Sequence, residues 1–176
     1  MTKKVCRRIL AVELIILALV WLDVLYIKVA HRIPYKQCEQ RVVYYIDERT
    51  IHIGSKPEAR EKIEDIVGVH HYFYTEKELP VGTNGLTILM ARYVLIDYEL
   101  DNIDYVIALT HELLHIKYNC EAERFIQFKT FECLYNSEFR DIALIFASQQ
   151  TNGYYIQDYN CGQYIVEYLK ENKIIY

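Results

Sequence analysis

Two histidines four residues apart, with a glutamate directly after the first, make His111-Glu112-Leu113-Leu114-His115 the stretch of this chain best suited to chemistry. On a helix, positions i and i+4 lie on one face about a turn apart, so both imidazoles can grip one metal ion. Glu112 then points close to that ion. In this H-E-x-x-H arrangement the carboxylate takes a proton from metal-bound water. A catalytic zinc site needs three protein ligands and an open position for water, so a third ligand is expected just beyond the turn at the end of the helix. Glu121, six residues after His115, is the expected ligand. Glu123 comes next, and Glu132 and Glu138 are more distant candidates. His70 and His71 are neighbours in an expected strand and face opposite sides of it, so surface or core roles are expected for them.

The element that must carry the motif is a helix over Asp101–Tyr118. Asp101 is its N-cap, Asp104 stands three residues on, and no Pro or Gly interrupts the run to Tyr118. Ile103, Tyr105, Val106, Ile107, Ala108, Leu109, Leu113, Leu114 and Ile116 cover nearly every side, which predicts burial rather than a surface position. In such a setting an unpaired polar group costs roughly 1 to 3 kcal/mol and an unpaired charge more. A metal ion would satisfy His111, Glu112 and His115 together.

Around this helix, Arg41–Asp47 and Thr50–Gly54 read as a hairpin. Ser55 and Glu58 form a capping-box pattern around Pro57 and open a helix that Gly68 closes. Val69–Thr75 reads as a strand, Glu76–Gly85 as a polar loop with an Asn84-Gly85 turn signal, and Leu86–Asp97 as a β-rich run broken near Arg92. After the motif, helices are expected over Glu121–Tyr135, Ser137–Ala147 and Tyr164–Asn172. Strands followed by helices give an α+β layout, with a small mixed or antiparallel sheet packed on the motif helix.

The N-terminus has a different character. Ile9–Ile27 is strongly hydrophobic, comes after Lys3, Lys4, Arg7 and Arg8, and is just long enough to cross a bilayer as a helix, with Glu13 and Asp23 towards its ends. A signal-anchor helix is expected, with a cleaved signal peptide or a peripheral helix as the other readings. The expected organisation is a cytoplasmic tail and membrane anchor over residues 1–30, a linker over 31–40 and one domain over 41–176 on the far side of the membrane. Cys38, Cys120, Cys133 and Cys161 would permit two disulfides there or remain four free thiols. With 52% apolar and 25% charged residues the chain is globular in type. A net charge of -4, without a Lys/Arg patch beyond the N-terminus, offers no field for nucleic acid. Abundant Tyr, with scarce Gly and Pro, looks like AT-rich coding, as in many viruses, phages and low-GC bacteria.

The segment Gly85–Phe125 resembles the small zincin metallopeptidases, specifically the SprT-like, WLM and YgjP-like minimal peptidases. The likeness lies in Asn84-Gly85, the strand run Leu86–Asp97, the motif helix and Phe125, four residues after Glu121. Where that family carries a third histidine, this chain has Glu121, as in a glutamate-liganded variant with Glu123 or a later Glu also in play. The resemblance implies a zincin fold, Zn²⁺ as cofactor and hydrolysis of a peptide or protein substrate, with Glu112 as general base. A second reading is a zincin-fold structural or interaction protein, such as a viral or phage component, in which zinc only stiffens the domain. A third is a small membrane protein whose motif is accidental.

Overall fold

The computed structural model describes residues 12–18, 21, 31–43, 51–152 and 155–175. It divides into two compact units, Met1–Arg32 and Ile33–Tyr176.

In the first unit, residues 12–18 are helical. Among the described residues no helix is long and apolar enough to cross a membrane. That overturns the single-pass anchor expected over Ile9–Ile27, together with the topology built on it. Residues 9–11, 19–20 and 22–27 of that stretch lie outside the described residues.

The second unit is α+β, with a set of helices and a small sheet. Its first helix, α1 (Lys56–Val67), begins where the sequence predicts. The Ser55 hydroxyl accepts from the Glu58 amide, the Glu58 carboxylate accepts from the Ser55 amide, and Pro57 occupies the first turn. Gly68 ends the helix with φ 75°, a left-handed cap that costs glycine least. Three strands come next: β1 (Phe73–Lys77), β2 (Gly85–Ile88) and β3 (Tyr93–Asp97). A single 3-10 turn, Leu89–Ala91, and Arg92 at φ 46° separate β2 from β3, so the β-rich run breaks at the expected residue. The order is β1-β3-β2, with β1 parallel and β2 antiparallel to β3. The sheet is therefore mixed, and β2 forms one edge of it.

The motif helix is α2 (Asn102–Tyr118), with Asp101 as N-cap accepting from the Asp104 amide at 2.8 Å. It packs against α1, β2, β3, α3 (Glu123–Tyr135) and α4 (Arg140–Thr151), and α5 (Gly162–Glu171) closes on α3 and α4. Its residues from Tyr105 to Leu109, with Leu113, Leu114 and Ile116, are buried, as its all-round apolarity requires. Buried polar groups between α4 and α5 bond to one another: Gln150 donates to Gln127, Asn160 donates to the Gln150 carbonyl, and the Cys161 amide donates to the Gln150 side chain.

Several local expectations shift. The strand expected over Val69–Thr75 begins four residues later, at Phe73. Residues 51–54 form no strand; residues 44–50, the rest of the expected hairpin, lie outside the described residues. The stretch read as a linker is fastened to the helices. The Tyr164 hydroxyl donates to the Pro34 carbonyl, Lys36 pairs with Glu167 and the Glu39 amide donates to Gln163; just past that stretch, the Val42 amide donates to Thr151. Cys38, Cys120, Cys133 and Cys161 are free thiols.

Candidate metal centre

The site is assembled from the last turns of α2, the turn after it and the start of α3. Because His111 and His115 are one turn apart, their rings meet edge to face, with centroids 4.7 Å apart. Their Nε2 atoms come within 3.0 Å of each other. Asn119 then leaves the helix at φ 47°, a left-handed turn that Asn tolerates better than most residues. This turn swings Cys120 back over the helix end, where its carbonyl accepts from His115 Nδ1 at 2.6 Å. Helix α3 starts at Glu123, whose carboxylate lies 3.1 Å from His111 Nε2 and 3.4 Å from His115 Nε2. Further along α3, the Thr130 hydroxyl donates to the Ile126 carbonyl, so the 3.4 Å contact between its oxygen and His111 Nδ1 has the imidazole as donor.

These bonds fix the tautomers. His111 donates its Nδ1 proton to Thr130 and His115 donates its own to the Cys120 carbonyl, so in the neutral imidazoles both Nε2 lone pairs are aimed at the same point. Two lone pairs 3.0 Å apart beside a carboxylate attract only a cation between them. The spacing also suits one. Nitrogens bound at about 2.0 to 2.1 Å to a tetrahedral ion lie roughly 3.4 Å apart, close to the 3.0, 3.1 and 3.4 Å seen here. Among the described residues, His111, His115 and Glu123 form a group that could hold a metal ion.

Burial sharpens the electrostatics. The side chains of His111 and His115 are 12% and 8% exposed, and that of Glu123 is 32% exposed. Burial lowers the pKa of His115, but the hydrogen bond and charge of Glu123, with the Cys120 carbonyl and the charge of Glu112, outweigh it and leave the imidazole raised. Burial likewise raises Glu123, yet in the metal-free protein hydrogen bonds and charge from His111 and His115 in their protonated form, which carries a proton on Nε2, prevail and pull the carboxyl down to about 2. The helix start at Glu123 favours the same charge.

Glu112 is buried, on the side of α2 that meets the sheet edge. The Thr87 hydroxyl in β2 donates to its backbone carbonyl at 3.0 Å, and its side chain lies against Gly85. Among the described residues its carboxylate accepts no hydrogen bond.

The expected third ligand changes. Glu121 is exposed in the connection between α2 and α3 and does not join the group; Glu123 does. The sequence places the start of α3 at Glu121, but the left-handed turn at Asn119 uses the intervening residues to bring the chain around. The spacing of Glu123, Ile126 and Thr130 along one helix face marks the face turned to α2, and that periodicity is the signal that points to Glu123. Glu132 is paired with Lys129 and Glu138 with Lys62. His70 and His71 are exposed, and His70 lies 4.0 Å from Asp65. Thr130, the Cys120 carbonyl and Gly85 belong to the site, although no sequence motif assigns them to it. The chain matches no protein-family model, no curated protein and no solved structure.

Proposed function

We propose that this chain is a zinc-dependent peptide hydrolase in which His111, His115 and Glu123 hold the ion and Glu112 is the general base. The observation that carries the reading is the convergence of two fixed Nε2 lone pairs and one carboxylate, with Glu112 next to them in sequence and beside a strand edge. The donor set of two imidazoles and a carboxylate is one that zinc takes in hydrolases, and three protein donors leave a place for water. A closed structural centre would need a fourth, and the group among the described residues has three.

When bound, zinc supplies a Lewis acid and brings the pKa of a coordinated water towards about 7. The chain's own groups do the rest. His111 and His115 stay neutral, with their Nδ1 protons held by Thr130 and Cys120. Glu112 accepts the proton of the attacking water at its carboxylate and returns it to the departing amine. The edge of β2, which no other strand among the described residues covers, runs past Glu112 and offers backbone groups to which an extended peptide adds as a further strand. That edge favours a peptide over other hydrolysable substrates.

The test is direct. Purified protein should carry one zinc per chain, and a pool of quenched-fluorescent peptides should be cleaved. Glu112→Gln should keep the zinc and lose on the order of 10³-fold in rate, within the range that proton transfer by a side chain contributes. Absence of stoichiometric zinc, or full activity in Glu112→Gln, overturns the assignment.

A further inference from the structure

We infer that Gly85 is a positioning residue for Glu112: its missing side chain is the space that the Glu112 carboxylate occupies beside the histidine pair. A Cβ built on Gly85 would stand 2.7 Å from Glu112 Cγ, 2.8 Å from Oε1 and 3.0 Å from Cδ, all well inside van der Waals contact. The backbone gives no other reason for glycine there. Gly54, Gly68 and Gly82 have φ of 82°, 75° and 87°, which favour glycine, whereas Gly85 lies in ordinary strand backbone paired with Ile96. Glycine inside a strand weakens it and marks the close approach of another group. Here that group is the one acid of the site that no hydrogen bond holds among the described residues, so contact with the bare Cα sets where its carboxylate sits.

The inference rests on reading Glu112 as the base, and it adds a mechanical consequence. A methyl at position 85 would displace Glu112 Cγ by about 1 Å, since the three atoms nearest to it all belong to that side chain. Misplacement on that scale costs about 100-fold in rate. Gly85→Ala should therefore keep one zinc per chain and lose about 100-fold in kcat, with KM within about twofold, on a quenched-fluorescent peptide that the wild type cleaves.

A double-variant cycle tests the contact without relying on activity. Melting temperatures are compared for the wild-type full chain, Gly85→Ala, Glu112→Ala and the double variant. In the Glu112→Ala background the three atoms that crowd the new methyl are gone and the methyl restricts the unfolded chain, so Gly85→Ala should raise the midpoint by about 1 to 3 °C. In the wild-type background the overlap should cancel or reverse that gain, leaving the two effects at least about 3 °C apart. A Gly85→Ala single variant that fails to fold while the double variant folds supports the contact equally. Equal effects in both backgrounds, failure of both variants to fold, or full kcat in Gly85→Ala overturns the positioning role. Full activity in Glu112→Gln overturns the base reading instead, and the melting cycle still decides whether Gly85 holds that side chain in place.

Discussion

At the scale of single residues, a cation site is an exercise in leaving lone pairs with nothing else to do. His111 and His115 have each given their Nδ1 proton to an oxygen, and Glu123 faces what remains. Replacing Glu123 by Ala should therefore abolish stoichiometric zinc binding, whereas Glu121→Ala should leave it intact; metal analysis of the two proteins separates them. Thr130 and Cys120 act one bond further out, where loss of such a partner commonly weakens metal binding 10- to 100-fold. The titration of the site has a definite sign. His115 is raised above its ordinary 6.5, so in metal-free protein its contribution to stability is complete below that pH and is lost as pH rises through the folded value. Glu123 is lowered from 4.5 to about 2, so its contribution is present above 4.5 and is lost as pH falls towards 2. Metal-free protein should be most stable between about pH 4.5 and 6.5. Zinc requires both imidazoles unprotonated, so the gap in melting temperature between loaded and metal-free protein should widen from about pH 6 to about pH 8. A gap that narrows over this range would contradict the ligand set.

At the scale of elements, the turn between α2 and α3 decides which glutamate joins His111 and His115. Asn119 stands in the left-handed region at φ 47°, and its amide bonds back to the helix. Asn119→Gly should preserve zinc binding, since glycine adopts that conformation freely. Asn119→Val should cost about 1 to 2 kcal/mol of stability. It should also weaken zinc binding, because Cys120 can no longer hold its carbonyl on His115. Equal zinc affinity in the two variants would detach the turn from the site. Helix ends and turns are largely legible in the chain. The capping box at Ser55, the glycine stop at Gly68, the Asp101 cap and the break at Arg92 are local signals, and local physics realises them. The start of α3 is not legible, because nothing between Asn119 and Glu123 caps a helix with its side chain.

At the scale of the whole molecule, the unit from Ile33 to Tyr176 includes more than the chain from Arg41 onward. Arg124, next to Glu123, donates to the Ile33 carbonyl and to the Gln157 carbonyl, so one guanidinium ties the incoming segment and the loop before α5 to the site helix. A chain beginning at Arg41 should melt several degrees below one beginning at Ile33, as it loses these bonds together with those of Pro34, Lys36 and Glu39. Thermal denaturation of the two truncations measures the difference; equal midpoints would show that the segment is dispensable. The charged and aromatic residues of 33–40 read as a linker because a sequence displays composition, and composition does not reveal which distant helix supplies a partner.

By itself the sequence determined the motif helix, its buried character, the pairing of His111 with His115 and the α+β class, because each arises from periodicity or from contacts a turn apart. Only the tertiary structure decided that Glu123 joins them in place of Glu121, that Thr130 and Cys120 hold the imidazole protons, and that Gly85 borders Glu112. It also set aside the membrane anchor, since no helix among the described residues is long and apolar enough to cross a bilayer. Those choices depend on where one turn sends the chain, and a shift of two residues at a helix start moves a carboxylate from solvent to the histidine pair.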